Sequence, residues 1–181
     1  MGHRGNPFAD LPEDRDPGRR FRGRLAAPVT AWTAEAPATG RAAITVASLM
    51  IGDGVPPTVL GLIDPLSTFL DAVTSSRRFV VHIVPEARYR LADQLAGRSP
   101  TALDRFEGVS VSTSRWGPVL DDLTSRAYCS VVDVNSVGEA VLVHGAIDEI
   151  NLEDRAPAPL VYLRGYYRGV RPLPDRPPDF R

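Results

Sequence analysis

Seven short runs rich in β-branched residues, set at even spacing between Gly, Pro and polar clusters, confine this chain to a mainly β fold. They read P-V-T-A-W-T-A (28–34), A-I-T-V-A-S-L (43–49), T-V-L-G-L-I (58–63), R-F-V-V-H-I-V (78–84), A-Y-C-S-V-V-D-V (127–134), A-V-L-V-H-G-A-I-D-E-I (140–150) and L-V-Y-L-R-G-Y-Y (160–167). Asn135 to Gly138 reads as a hairpin turn between two of them. Six or seven strands in this order suit a barrel or sandwich. Two helices interrupt them. The first is expected to start with Asp64 as N-cap and Pro65 in the first turn, with Leu66, Phe69, Leu70 and Val73 forming one apolar stripe. The second opens at Pro85, carries Tyr89, Leu91, Ala92 and Leu95, and stops at Gly97. A third short helical stretch is expected over Ala102 to Phe106.

The length of 181 residues suits one domain with a real core. Residues 1–20 read as a loose, flexible arm, 21–170 as the folded domain, and 171–181 as a Pro-rich tail that continues neither helix nor central strand. The formal net charge of −1 gives no overall field for nucleic acid or anionic lipid, and all 21 basic residues are Arg. A single Cys, Cys129, excludes an internal disulfide. No apolar run reaches ~18 residues, so no membrane association is expected and a cytoplasmic location is.

The chemistry concentrates between Arg41 and Ser76. Small and hydroxyl residues (Thr45, Ala47, Ser48, around Val46) end one strand, a Gly/Pro loop follows, and an apolar strand runs into a helix carrying Ser67 and Thr68. Short side chains let backbone groups reach a ring edge, and a helix start offers N–H groups to an anion, which suits a flat ligand with a phosphate tail. Asp64 competes with phosphate for those N–H groups. Arg88 and Arg90 are the candidate counter-charges. His82 and His144 lie in apolar strands without carboxylates at ligand spacing, so no metal site is expected. No Ser-His-Asp order or carboxylate pair suggests hydrolysis, and no catalytic side chain is singled out.

In this order, V-T-A-W-T (29–33), A-I-T-V-A-S-L (43–49), V-P-P-T-V-L-G-L-I-D (55–64), R-R-F-V-V-H-I-V (77–84), D-R-F-E-G (104–108), G-P-V-L (117–120) and P-L-V-Y-L-R-G-Y-Y-R (159–168) resemble the flavin reductase-like family. The resemblance implies a six-stranded antiparallel split β-barrel of Greek-key type with two or three short helices. It implies a homodimer that binds FMN, takes electrons from NADH or NADPH, and supplies reduced flavin to a monooxygenase partner. Thr45, Val46, Ala47 and Ser48 fall on the family's flavin segment, and Asp64, Ser67, Thr68 and Arg88 are the residues expected around the phosphate.

Two segments depart from the family pattern. Phe69 stands where relatives often have a phosphate-contacting Thr, and Thr68 replaces an Arg. Gly138-Glu139-Ala140 replaces G-D-H, whose His lies near the nicotinamide. These changes keep two alternatives open: a flavin carrier or sensor with little reductase activity, and an oxidoreductase using a deazaflavin coenzyme.

Overall fold

The structure is a computed structural model that describes residues 17–98 and 104–171. In chain order the elements are α1 (Pro17–Arg22), β1 (Ala27–Pro28), β2 (Thr30–Ala36), β3 (Gly40–Val46), β4 (Leu49–Gly52), β5 (Thr58–Ile63), α2 (Thr68–Ser76) and β6 (Arg78–Ile83). A 3-10 turn (Glu86–Arg88) leads into α3 (Tyr89–Leu95). Then follow β7 (Val111–Ser114), β8 (Gly117–Leu120), β9 (Arg126–Val137), β10 (Ala140–Asn151), β11 (Leu160–Leu163) and β12 (Tyr166–Gly169).

Seven strands form one antiparallel sheet in the order β3-β2-β6-β9-β10-β5-β4. The sheet curls until β3 approaches β5 across a seam, and the Leu62 amide extends the β4–β5 ladder by donating to the Ser48 carbonyl at 2.9 Å. This is the expected antiparallel split barrel, with β4 as an added edge strand. Inside, Trp32 stacks on Phe79 (centroids 5.0 Å apart), and Phe69 meets both rings edge-on. All three are fully buried, and each such side chain contributes about 1.5–3 kcal/mol. Glycine makes this packing possible. A β-carbon on Gly145 of β10 would stand 2.5 Å from the Phe79 ring, so only glycine admits that ring.

β2 is buried on both faces because two cores flank it. Trp32, Ala34 and Ala36 face the barrel interior, whereas Val29 and Ala31 join Val84, Ala92, Leu95, Leu120 and Leu160 beneath α3. The β7–β8 hairpin crosses this outer face, with Thr33 Oγ1 donating to the Pro118 carbonyl. His82 is sealed between these layers. The Leu120 amide donates to Nε2 at 3.1 Å, so the ring proton sits on Nδ1 and goes to the Ala31 carbonyl at 3.1 Å. Burial is the main cause that lowers its pKa to about 4, against the opposing Ala31 bond and with help from the Arg126 charge.

Several expectations need correction. The first helix is capped by Ser67, not Asp64: Ser67 Oγ accepts from the Leu70 amide at 3.3 Å, and the helix starts at Thr68. Asp64 instead closes a turn, its Oδ1 accepting from the Leu66 amide at 2.8 Å, and Leu66 is left 89% exposed. The run 160–167 is two strands, turned at Arg164 and Gly165 with φ of 53° and 88°. The β9–β10 hairpin turns at Gly138 and Glu139, later than expected. Residues 102–103 of the third expected helix lie outside the described residues, and 104–107 form a turn closed by the Glu107 amide on the Asp104 carbonyl. Residues 17–20, read as part of a loose arm, belong to α1, which begins with Pro where a missing N–H costs nothing. No helix among the described residues is long and apolar enough to cross a membrane.

Candidate functional site

The barrel's seam opens into a cavity of about 1060 Å³. Its floor is the segment Ile44–Met50, where β3 ends and β4 begins, and Leu60, Gly61 and Leu62 of β5 and Leu142 of β10 supply further wall. At roughly 1,000 Å³ it stands at the top of the usual range for small-molecule sites. Thr45, Val46, Ala47 and Ser48 all line it, as does Asp64.

The polar groups of this floor are unequally available. The Thr45 hydroxyl donates to the Ala92 carbonyl at 2.7 Å and so ties β3 to α3. The Val46 carbonyl accepts from Thr30 Oγ1 at 2.8 Å, and Thr30 Oγ1 in turn accepts from Trp32 Nε1 at 2.9 Å. That relay fixes the floor to the aromatic core. The Ser48 hydroxyl has no hydrogen-bond partner among the described residues, which leaves it for a ligand.

Ser67 and Thr68 part company. Ser67 is buried, and its hydroxyl donates to the Asp64 carbonyl at 2.8 Å while capping α2. Thr68 is exposed and lines a second, smaller cavity of about 250 Å³ together with Arg41, Asp104 and Arg105. Phe69 is turned fully into the barrel core. Arg88 lies outside both cavities, paired with Asp122 at 3.2 Å.

The cation beside Asp64 is Arg105, which sequence reasoning did not select. Its Nη1 donates to the carbonyls of Ala43 and Leu95, pinning β3 to the end of α3. Burial lowers its pKa from the ordinary value, and the negative charge of Asp64 opposes that shift. D-R-F-E-G was the available signal, because its Arg sits between two motif residues. The cationic residues that line the large cavity, Arg19, Arg20, Arg22, Arg24, Arg98 and Arg164, were equally unread.

Ala140 opens β10 two residues before Leu142, which lines the cavity, so the two share one strand face. Cys129 is fully buried, and burial raises its thiol pKa far above the ordinary value, which removes it as a nucleophile. Among the described residues no three His, Cys, Asp or Glu side chains gather as a metal site.

Known proteins share this fold. Nitrilotriacetate monooxygenase component B from Mycobacterium thermoresistibile superposes with a TM-score of 0.77 at 28% identity, over 91% of this chain and 90% of that one. An FMN reductase (NADH), RutF 2 of Methylorubrum extorquens, is 31% identical over 89% of this chain and 92% of its own. The HsaB reductase subunit of a flavin-dependent monooxygenase from Mycobacterium tuberculosis is 27% identical over 70% of this chain and 67% of its own. Residues 22–171 match the flavin reductase like domain, and the chain belongs to that family.

Proposed function

We propose that the chain binds FMN in the seam cavity and catalyses its reduction by NADH or NADPH. The observation that carries this reading is the cavity lining, where Ala47 and the unengaged Ser48 hydroxyl stand together with the apolar side chains of Leu60, Leu62 and Leu142. Such a slot fits a flat ring with one polar edge. When bound, flavin supplies the two-electron chemistry between the nicotinamide and the final acceptor.

The chain's own task is orientation and exclusion of water. Ser48 and the neighbouring backbone meet the polar edge, and the leucines keep solvent from the ring. Thr68 and Arg105 are the groups for the phosphate, in place of Ser67 and Arg88. Because Arg105 also faces Asp64, its charge is partly balanced before any ligand arrives. No side-chain acid or base is needed for hydride transfer to the ring.

Relatives named as reductase subunits of monooxygenases support a role in supplying reduced flavin to such a partner. Exposed Met50, Ile51, Val132, Ile150 and Leu152 support a homodimer that covers them. A flavin carrier with little reductase activity is the second reading, favoured by Ala140 standing where the family pattern has His. Titration with FMN and riboflavin tests the site: FMN should bind more tightly, and absence of binding by either removes the proposal.

A further inference from the structure

β4, β5 and β10 give one sheet face to the cavity, and the register carries that face past the lining residues to a histidine. Met50 of β4 stands opposite Leu60 of β5, and Leu60 stands opposite His144 of β10. Across the next ladder His144 stands opposite Asp133 of β9. Directly opposed side chains share a face, with β-carbons about 4.5–5.5 Å apart. His144 is therefore flanked by two lining residues, Leu60 across the ladder and Leu142 two positions back on its own strand. The other face of these strands belongs to the barrel core, where Val59 and Val143 are fully buried.

In the neighbouring row the Leu62 amide reaches Ser48, and Leu62 stands opposite Leu142. Leu60, Leu62 and Leu142 thus have a free hydroxyl at one corner and an imidazole at the other. Two strand spacings and two residues of rise separate these corners, about 12 Å on the diagonal. A three-ring system lying on the leucines reaches from one to the other. His144 is half-buried, and its ring nitrogens have no hydrogen-bond partner among the described residues. Asp133 is held in place, its Oδ2 accepting from Asn135 Nδ2 at 2.6 Å and its Oδ1 from the Val134 amide at 2.8 Å. Those bonds, chiefly the one from Asn135, keep its carboxyl below the usual range, and the charges of Arg77 and His144 add to them. A fixed negative charge therefore stands across the ladder from an unengaged imidazole.

We propose that His144 is the second polar anchor of the flavin ring, at the corner away from Ser48, and that it donates a hydrogen bond to the part of the ring that turns negative on reduction, with Asp133 behind it. The proposal rests on the flavin-site reading. A hydride carries two electrons and one proton, so its acceptance leaves one negative charge on the ring while the donor departs as NAD+ or NADP+. A hydrogen bond to a charged acceptor is the stronger kind. His144 therefore favours the reduced ring over the oxidised one, and that difference in affinity raises the reduction potential.

The chain has three His residues, so the imidazole proton signals of the intact protein are few, and His144→Asn assigns one of them. FMN and riboflavin should both shift the His144 signal, because the contact is with the ring. The signal of His82, sealed between Ala31 and Leu120, should stay in place. In the FMN-loaded protein His144→Leu should lower the midpoint potential by about 30 mV, the equivalent of tenfold weaker binding of the reduced form relative to the oxidised. Oxidised FMN should still bind within about threefold. His144→Asn keeps an N–H donor and should recover part of the shift, and Glu149→Gln on the same strand should leave the potential unchanged. A His144 signal that ignores bound FMN, a shift with FMN but not riboflavin, or equal potentials in the natural protein and His144→Leu would each overturn the proposal while leaving the flavin site standing. If FMN does not bind at all, the flavin-site reading falls and this proposal with it.

Discussion

The indole of Trp32 lies so close to Gly61 that a β-carbon there would stand 2.5 Å from Cη2. Trp32 cannot retreat, because Phe79 stacks on it and Nε1 is engaged by Thr30. Gly61→Ala should therefore cost about 1–3 kcal/mol by overpacking, read as a lowered denaturation midpoint at unchanged slope. Gly61 also lines the seam cavity, so FMN affinity should fall in the same variant. Unchanged stability would mean that the ring and β5 can separate freely.

His82 makes stability depend on pH. Its folded pKa of about 4 lies below the ordinary 6.5, so the unfolded chain binds the proton first as pH falls. Its contribution is intact above pH 6.5 and is lost progressively between 6.5 and about 4, by up to ~3 kcal/mol. His82→Asn should be less stable at neutral pH, with the gap to the natural protein closing on acidification. A gap that stays constant from pH 7 to pH 4 would contradict the neutral, doubly bonded ring.

Arg105 should govern preference for the phosphorylated flavin. Arg105→Gln is expected to weaken FMN about tenfold while changing riboflavin little, and Arg105→Lys should restore part of the difference. Fluorescence titration of both ligands gives the ratio. Equal losses for the two would show that Arg105 only braces β3 against α3 through Ala43 and Leu95.

Ala140 offers the opposite kind of test, a gain. It shares a strand face with Leu142, which lines the cavity, so Ala140→His places an imidazole beside the proposed nicotinamide position. The reductive rate should rise, each tenfold corresponding to ~1.4 kcal/mol, with FMN affinity unchanged. No gain in a folded variant would favour the carrier reading.

The strands were legible because alternation and β-branching survive in any context, and T-V-L-G-L-I coincides with β5 to the residue. Helix starts were harder to read. Asp64-Pro65 carries a strong start signal, but the Asp64 side chain serves the Leu66 amide, and the chain needs three more residues before Ser67 can cap. Thr45 to Ser48 were placed at the cavity because the small-residue pattern is local. Arg105 was missed for the converse reason: its partners, Ala43 and Leu95, are 62 and 10 residues away, and only the folded chain joins them. The arginines of α1 were hidden by a composition that reads as a loose arm.

Anaerobic mixing of the FMN-loaded protein with NADH and with NADPH tests the central claim most directly. The account predicts that the visible flavin absorbance bleaches with at least one donor and returns when oxygen is admitted. A bound FMN that stays oxidised with both donors would contradict it.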